Sequence, residues 1–251
     1  MSGGDSPEEK EMNLSDAIET FRLRRKLQRE KPHIWRIPSV NVGMIQNYKV
    51  GSRSLRLAVA RHLLQSDEGE EDIAYDQLSD SRVKELDKKY SGFYALDSVR
   101  QQFPEMFLFT FVRHPLSRLH SCYVNKLVDA KRYGVKNQFK NWGVDYNTSF
   151  DEFVRMVADT PDGASDRHFR SQSWFVSVDG KLVADYIGKL ESFKQDWQVL
   201  ADRFGFPELP HKNKSSKSKV HFSEHYSKEI YELAVERYRQ DIELLGYEDE
   251  V

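Results

Sequence analysis

The chain has 251 residues with 38 basic and 40 acidic side chains, a net charge of −2 that excludes the global basicity of a protein coating nucleic acid. Only 39% of its residues are hydrophobic, below the usual ~45–50%, but 15 Phe, 12 Tyr and 4 Trp supply the bulk for a substantial core. Its one cysteine, Cys122, forms no intramolecular disulfide, and no apolar window of ~18 residues offers a membrane-spanning helix, so the expectation is a soluble, cytoplasmic chain.

Residues 1–12, polar and acidic, read as a disordered tail and lack the basic-then-apolar order of a signal peptide. A charged helix is expected from Leu14 to Glu30; its basic run 22–26 is either a solvated face or a contact for an anionic partner. IWRIPSVNVGMIQ predicts a short strand near Val40–Ile45. Residues 52–65 return to helical period, with Leu55, Val59, His62 and Leu63 on one side. An acidic loop, 67–72, separates this helix from a polar one over Ser79–Lys89. MFLFTFV (106–112) is a continuous apolar run, as in a strand buried on both faces of a parallel sheet.

Pro115 suits the first position of a helix that Leu116, Leu119, Tyr123 and Leu127 continue. Ser149 with Glu152 and Ser192 with Gln195 have capping-box spacing, and Gly205 with Pro207 closes the second of these helices. A strand is expected over 182–189 and a basic loop over 211–219. A final helix over 224–245 would turn Ile230, Leu233, Ala234, Tyr238, Ile242 and Leu245 inward. Strands alternate with helices without internal repeats. The pattern predicts a single α/β domain over 13–251 with a central, mainly parallel sheet flanked by helices.

Two segments carry candidate chemistry. In NYKVGSRSL (47–55), a strand-to-helix turn would aim backbone N–H groups and the positive end of a helix at one point. Gly51 admits a positive φ or a close approach, Ser52, Arg53 and Ser54 add hydroxyl and guanidinium donors, and Lys49 adds a mobile ammonium. This is the equipment of an oxyanion cradle. It is no Walker A loop, because GxxxxGK[ST] is absent and the lysine precedes the glycine. The same spacing also fits an ordinary turn with a surface lysine.

FTFVRHPLSRLHSCYVNK (109–126) repeats the architecture. Arg113 stands at the carboxyl end of a buried strand, where ligands collect in open α/β sheets, and Ser117, Ser121 and Asn125 would share one helix face. Arg113 could fork onto a phosphate to which Ser121 also donates, or serve as a surface ion-pair partner. Two such units together suit a ligand with two separated phosphate groups.

These segments resemble the two nucleotide-binding signatures of sulfotransferases, in the carbohydrate branch that modifies sugar hydroxyls. The first, Pro-Lys-x-Gly-(Ser/Cys)-x-Ser-Leu, is similar to Tyr48 through Leu55, with Tyr48 in the place of the proline. The second, Phe-x-Arg-x-Pro-x-x-Arg-x-x-Ser-x-Tyr, is matched at Phe111, Arg113, Pro115, Arg118, Ser121 and Tyr123. DRHFRSQ (166–172), DYIGKLESF (185–193) and the C-terminal ELLGY resemble later segments of the branch, so the likeness spans about residues 40–247.

The resemblance implies a P-loop-like sulfotransferase fold and 3′-phosphoadenosine 5′-phosphosulfate as co-substrate, with no metal required. It implies transfer of the sulfuryl group to a hydroxyl of a carbohydrate or glycan-like acceptor. Lys49, Val50, Gly51, Ser52, Arg53 and Ser54 would hold the donor's 5′ end, and Arg113 and Ser121 its 3′-phosphate. Lys49 would stabilise charge on the leaving oxygen. His168 is the preferred general base and Glu191 the second candidate. Animal members of the branch carry a membrane anchor and luminal disulfides that this sequence lacks, which implies a different compartment.

Among the other histidines, His114 would shape its loop, while His33, His62, His120, His221 and His225 read as surface or helix residues. Cys122 reads as a packing residue. Trp142 and Trp174 are either a stacking wall for an acceptor or core, and the lysines of 211–219 either close over the donor or stay solvated. Two other classes stay open from the residues: a nucleotide-dependent kinase with an irregular phosphate loop, which needs Mg²⁺ and a Walker-type lysine, and a non-catalytic module for a sulfated or phosphorylated partner.

Overall fold

A computed structural model of the chain describes residue 22 and residues 25–70, 73–210 and 221–251. The expected tail, most of the Leu14–Glu30 helix, two residues of the acidic loop and the basic loop 211–219 lie outside the described residues.

Period-two burial in the strands dictates the architecture. Ile34, Ile45, Leu108 and Val112 enter one apolar cluster, while their neighbours Trp35, Met44, Phe109 and Phe111 enter another, so a single sheet separates two cores. The strands are β1 (His33–Ile37), β2 (Val42–Ile45), β3 (Ser91–Phe93) and β4 (Phe107–Val112), followed by a separate hairpin of β5 (Ser177–Val178) and β6 (Lys181–Leu182), and then β7 (Tyr186–Lys189). The sheet order is β3-β1-β2-β4-β7, with β2·β4 and β4·β7 parallel and β1 antiparallel to both of its neighbours. The mainly parallel sheet expected from the sequence is present.

β1 escaped the sequence reading because Pro38 sits between it and β2. A 3₁₀ turn over Pro38–Val40, ending on left-handed Asn41 (φ 52°), joins the two strands as a hairpin. So short a connection permits only antiparallel pairing. The strand expected over 182–189 is confined to Tyr186–Lys189, because Lys181–Leu182 pairs instead with β5.

Helices cover both faces. On the Phe109 face lie α1 (Ser52–Ser66) and α2 (Asp80–Tyr90). On the Leu108 face lie α3 (Leu96–Gln102) and α4 (Pro115–Tyr123), with the short α5 (Asp129–Arg132) beyond them, and then α6 (Phe150–Asp159) and the four-residue α7 (Ser173–Val176). The chain returns to the first face with α8 (Phe193–Phe204) and finishes on the second with α9 (Lys228–Arg237) and α10 (Arg239–Leu244). The Ser149–Glu152 capping box is complete in both directions. Ser192 also stands at an N-cap but forms no box with Gln195; its hydroxyl donates to Asp196 at 2.6 Å.

Two helices depart from their expected course. After Tyr123, α4 widens into a π turn over Val124–Val128, which carries the exposed Asn125 off the stripe shared by Ser117 and Ser121. The C-terminal helix breaks at buried Tyr238 (φ −110°, ψ 20°), whose hydroxyl donates to the Phe169 carbonyl at 2.5 Å. Of the positions expected inward, Leu233 is only half-buried.

Close packing of β4 on β7 depends on Gly188, where an added Cβ would lie 2.5 Å from Phe111 Cε1. Gly188→Ala should destabilise the protein by about 1–3 kcal/mol through this overpacking, read as a lower urea midpoint at unchanged slope.

Candidate active site

The carboxyl edge of the sheet gathers three loops. Lys49 follows β2, Arg113 follows β4 and Glu191 follows β7, and because these strands are parallel neighbours their loops emerge side by side.

Between β2 and α1 the chain turns sharply. Lys49 and Gly51 both adopt left-handed backbone, at φ 68° and 76°, on either side of wholly buried Val50. A Cβ on Gly51 would press on Phe193 and Leu190 at 3.1 and 3.2 Å, so glycine is required there for space as well as for φ. Ser52 closes the turn by donating to the Asn47 carbonyl at 2.8 Å. Among the described residues nothing accepts from the backbone N–H groups of Lys49 through Arg53, which leaves consecutive donors at the N-terminus of α1. Ser54 is buried. The exposed Arg53 guanidinium lies 3.8 Å from Asp80, so Arg53 meets the turn through its backbone.

Arg118 holds this loop in place. Its wholly buried guanidinium donates through Nε to the Tyr48 carbonyl at 2.8 Å, through Nη1 to the Arg170 carbonyl at 2.9 Å and through Nη2 to the Arg167 carbonyl at 3.1 Å. One side chain on α4 therefore ties the 48–51 turn to the 166–172 segment.

The Arg113 loop is clamped in a similar way. Buried Gln172 accepts from the Arg113 N–H at 3.0 Å and donates to the Arg113 carbonyl at 2.8 Å. Glu191 accepts from the His114 N–H at 2.9 Å and from the Tyr247 hydroxyl at 3.1 Å, so both of its oxygens are engaged. Asp241 accepts from the N–H groups of Gln172 and Ser173, each at 2.7 Å. With its backbone held, Arg113 donates through Nε to Ser117 at 3.0 Å, and Ser121 lies one helical turn farther on with no hydrogen-bond partner for its hydroxyl among the described residues.

Charge sets the character of the site. Burial, with the nearby cations Lys126, Arg113 and Arg118, lowers the Lys49 ammonium to about 8. Burial also lowers the His168 imidazole; the Asp166 carboxylate opposes that shift, while the Lys126 and Lys49 charges reinforce it. Lys49, Arg113 and His168 thus share one electrostatic environment. His168 Nδ1 lies 2.6 Å from Asp166 Oδ1, which also accepts the His168 backbone N–H at 2.9 Å. The carboxylate fixes the ring and leaves Nε2 as the nitrogen available to a ligand. Burial alone would raise Asp166, but the His168 hydrogen bond and charge outweigh it and hold the carboxyl low.

His168 opens on a cleft of about 420 Å³ lined by Tyr48, Arg167, His33 and Phe93 among others. His33, expected at the surface, belongs to this cleft through the unrecognised β1. His62 is buried edge-on against Phe206, and His114 is buried against Phe222 and Tyr247, with its imidazole pushed down to about 4 by burial. His120 and His225 stack at 3.9 Å. Cys122 is wholly buried, and burial pushes its thiol up to about 12, so it is inert as a nucleophile. Trp142 and Trp174 pack against the core, Trp174 beneath the Arg170 guanidinium at 5.0 Å. No group of three or more metal-ligating side chains occurs among the described residues.

The profile of the Sulfotransferase family matches residues 44–248. The chain belongs to the sulfotransferase family. No curated protein and no solved structure gives a significant match. Among the described residues, no helix of this sulfotransferase is long and apolar enough to cross a membrane.

Tyr48, which occupies the motif's proline position, is fixed by its surroundings. Arg167 donates to its hydroxyl at 3.1 Å and lies over its ring, and His168 meets the ring edge-on at 5.5 Å. Contacts replace the pyrrolidine as the source of rigidity. The sequence reading assigned no role to Asp166, Gln172 or Asp241. Asp166 was findable, since Asp two residues before His is an Asx-turn pattern that brings carboxylate and ring together. Gln172 and Asp241 act across 59 and 69 residues of chain and carry no local signal.

Arg118→Lys should destabilise this sulfotransferase by about 3 kcal/mol, because an ammonium cannot serve three divergent carbonyls and leaves at least one buried acceptor unpaired. Urea denaturation measures the loss; Arg118→Met should cost at least as much.

Proposed function

We propose that the chain transfers the sulfuryl group of 3′-phosphoadenosine 5′-phosphosulfate to a hydroxyl of a carbohydrate or glycan-like acceptor. The observation that carries the reading is the convergence of Lys49, its ammonium lowered by burial and by the charges of Lys126, Arg113 and Arg118, with an Asp166-oriented His168 beside the N–H groups of the 49–53 turn, which have no acceptor among the described residues. Partly buried positive charge of this kind suits a polyanionic donor.

The donor supplies the activated sulfuryl group; the remaining work falls to side chains of this protein. The 49–53 N–H groups, with Ser52 and Ser54 in the same turn, receive the 5′ end of the nucleotide. Arg113 and Ser121 receive the 3′-phosphate, with Gln172 holding Arg113's backbone so that its fork stays aimed. Lys49 meets the negative charge that develops on the leaving bridge oxygen, an interaction stronger in the transition state than in the ground state. His168 Nε2 takes the acceptor proton while Asp166 stabilises the imidazolium that forms. Glu191, with both oxygens accepting, is a positioning residue in this reading. The single cysteine, buried and inert, suits a reducing cytoplasmic setting. The family match leaves the kinase reading without support.

Lys49→Ala should lower turnover ~10²–10³-fold in an assay of labelled sulfate transfer, as for loss of one donor to a developing oxyanion. Unimpaired turnover in the folded variant would remove Lys49 from the mechanism. Adenosine 3′,5′-bisphosphate should raise the melting temperature without Mg²⁺; stabilisation by ATP–Mg²⁺ alone would overturn the proposal.

The pH dependence follows from the two shifts. Lys49 must be charged, so kcat/KM for the donor should fall as pH rises through about 8, and a bound dianion should carry the same limb to higher pH in kcat. His168 must be neutral, and burial lowers it below 6.5, so the acid limb should lie below that value. Because the Asp166 charge raises His168, Asp166→Asn should move the acid limb to still lower pH while reducing kcat.

A further inference from the structure

A surface between α4 and α6 takes no part in the proposed chemistry. α4, its π turn and α5 follow one another without a break from Pro115 to Arg132, a helical run on the order of 25 Å that leads away from Arg113. At its far end residues 131–136, Lys-Arg-Tyr-Gly-Val-Lys, are all exposed. Among the described residues seven large hydrophobic side chains are exposed, and three of them fall here: Val128 at 47%, Tyr133 at 69% and Val135 at 51%. Apolar residues exposed singly are ordinary; a cluster of them marks an interaction site.

The backbone holds these side chains outward. Gly134, at φ 64°, ends α5 in a Schellman turn: its N–H donates to the Lys131 carbonyl at 3.4 Å, and the Val135 N–H to the Ala130 carbonyl at 2.9 Å. In such a turn the residue after the glycine commonly packs back on the helix, yet Val135 stays half-exposed. Its carbonyl accepts from the Tyr146 hydroxyl at 2.5 Å, and Asn137 donates to the Val144 carbonyl at 2.7 Å, so the turn is braced from behind.

Positive charge surrounds the apolar tip. Lys131, Arg132, Lys136 and Lys140 are exposed, and Asp129 is the one acidic residue between 128 and 140. Lys131 donates to Asn147 at 2.7 Å, and the Arg132 guanidinium lies 5.6 Å from the Tyr133 ring centre. Among the described residues none of the four meets a carboxylate. By contrast the exposed Lys89, Arg155 and Arg239 each pair with a glutamate.

We propose that this tip docks the protein on an anionic lipid bilayer, Tyr133 and Val135 entering the headgroup region while the four cations meet the lipid charge. A soluble polyanion would use the cations and leave the tyrosine and valines in water. A bilayer offers negative charge and, just beneath it, an apolar depth. Each contribution is modest, so the attachment is peripheral and reversible. It depends on neither the donor nor the acceptor of the transfer reaction.

The test is sedimentation of the full chain with vesicles of phosphatidylcholine alone or with about a third phosphatidylserine, at ~0.1 M salt. The wild type should pellet with the anionic vesicles only, and excess salt should release it. Replacing Lys131, Arg132 and Lys136 together by Gln should lower the partition coefficient roughly 10²-fold. The pair Tyr133→Ser and Val135→Ser should lower it about tenfold. Both variants should keep the wild-type melting temperature and affinity for adenosine 3′,5′-bisphosphate, which separates lost docking from lost folding. On the wild type, vesicles should protect the amides of 128–136 from hydrogen exchange. Failure of the wild type to pellet, binding unchanged in either variant, or protection confined to other segments would each overturn the proposal. So would retention on dextran sulfate without vesicle binding, which would assign the cations to a soluble polyanion instead.

Discussion

One guanidinium that never meets water organises the working edge of this protein. Arg118 gives its donors to carbonyls at positions 48, 167 and 170, two stretches of chain more than a hundred residues apart. Desolvating an arginine is expensive, and its return is geometric: the phosphate-type turn and the segment bearing His168 cannot move independently. A hydrophobic residue of similar size could fill the volume but could not orient three carbonyls. The fork geometry of arginine, not its charge alone, is what the position exploits.

The clamps around Arg113 follow the same logic with other chemistry. Gln172, Glu191 and Asp241 all act on backbone N–H or C=O groups, and together they stitch β4, β7 and the C-terminal helices to one loop. Burial pushes the Asp241 carboxyl up, and its two N–H donors with the Arg118 charge oppose that shift. The break at Tyr238 is what lets α10 deliver Asp241 to α7. A straight helix over 224–245, as the periodicity suggested, would carry that carboxylate along another line.

Positive charge gathered around Lys49 is the site's electrostatic signature. Ordinary ion pairs of the protein, such as Arg100 with Asp185 or Arg155 with Glu229, sit on the outer surface and contribute little to stability. Lys126, Arg113 and Arg118 instead lie close enough to the partly buried Lys49 to lower its ammonium. Such an arrangement destabilises the free protein and is relieved by an anion, which links the stored cost directly to ligand recognition.

Much of this was legible from the residues alone. The apolar run at 106–112 could only be an interior strand, Gly51 marked a left-handed turn, and the spacing of Arg113, Pro115, Arg118, Ser121 and Tyr123 set a strand–loop–helix unit with its basic residue at the carboxyl end. These are local properties: burial period, backbone conformation and the offset between side chains on one helix are all encoded within a dozen residues. Tertiary structure alone decided that β1 would join the sheet antiparallel, that Tyr48 would be braced by Arg167 and His168, and that both oxygens of Glu191 would be taken. Each of those outcomes depends on which distant segments meet, and pairing between residues dozens of positions apart leaves no trace in the spacing of either partner.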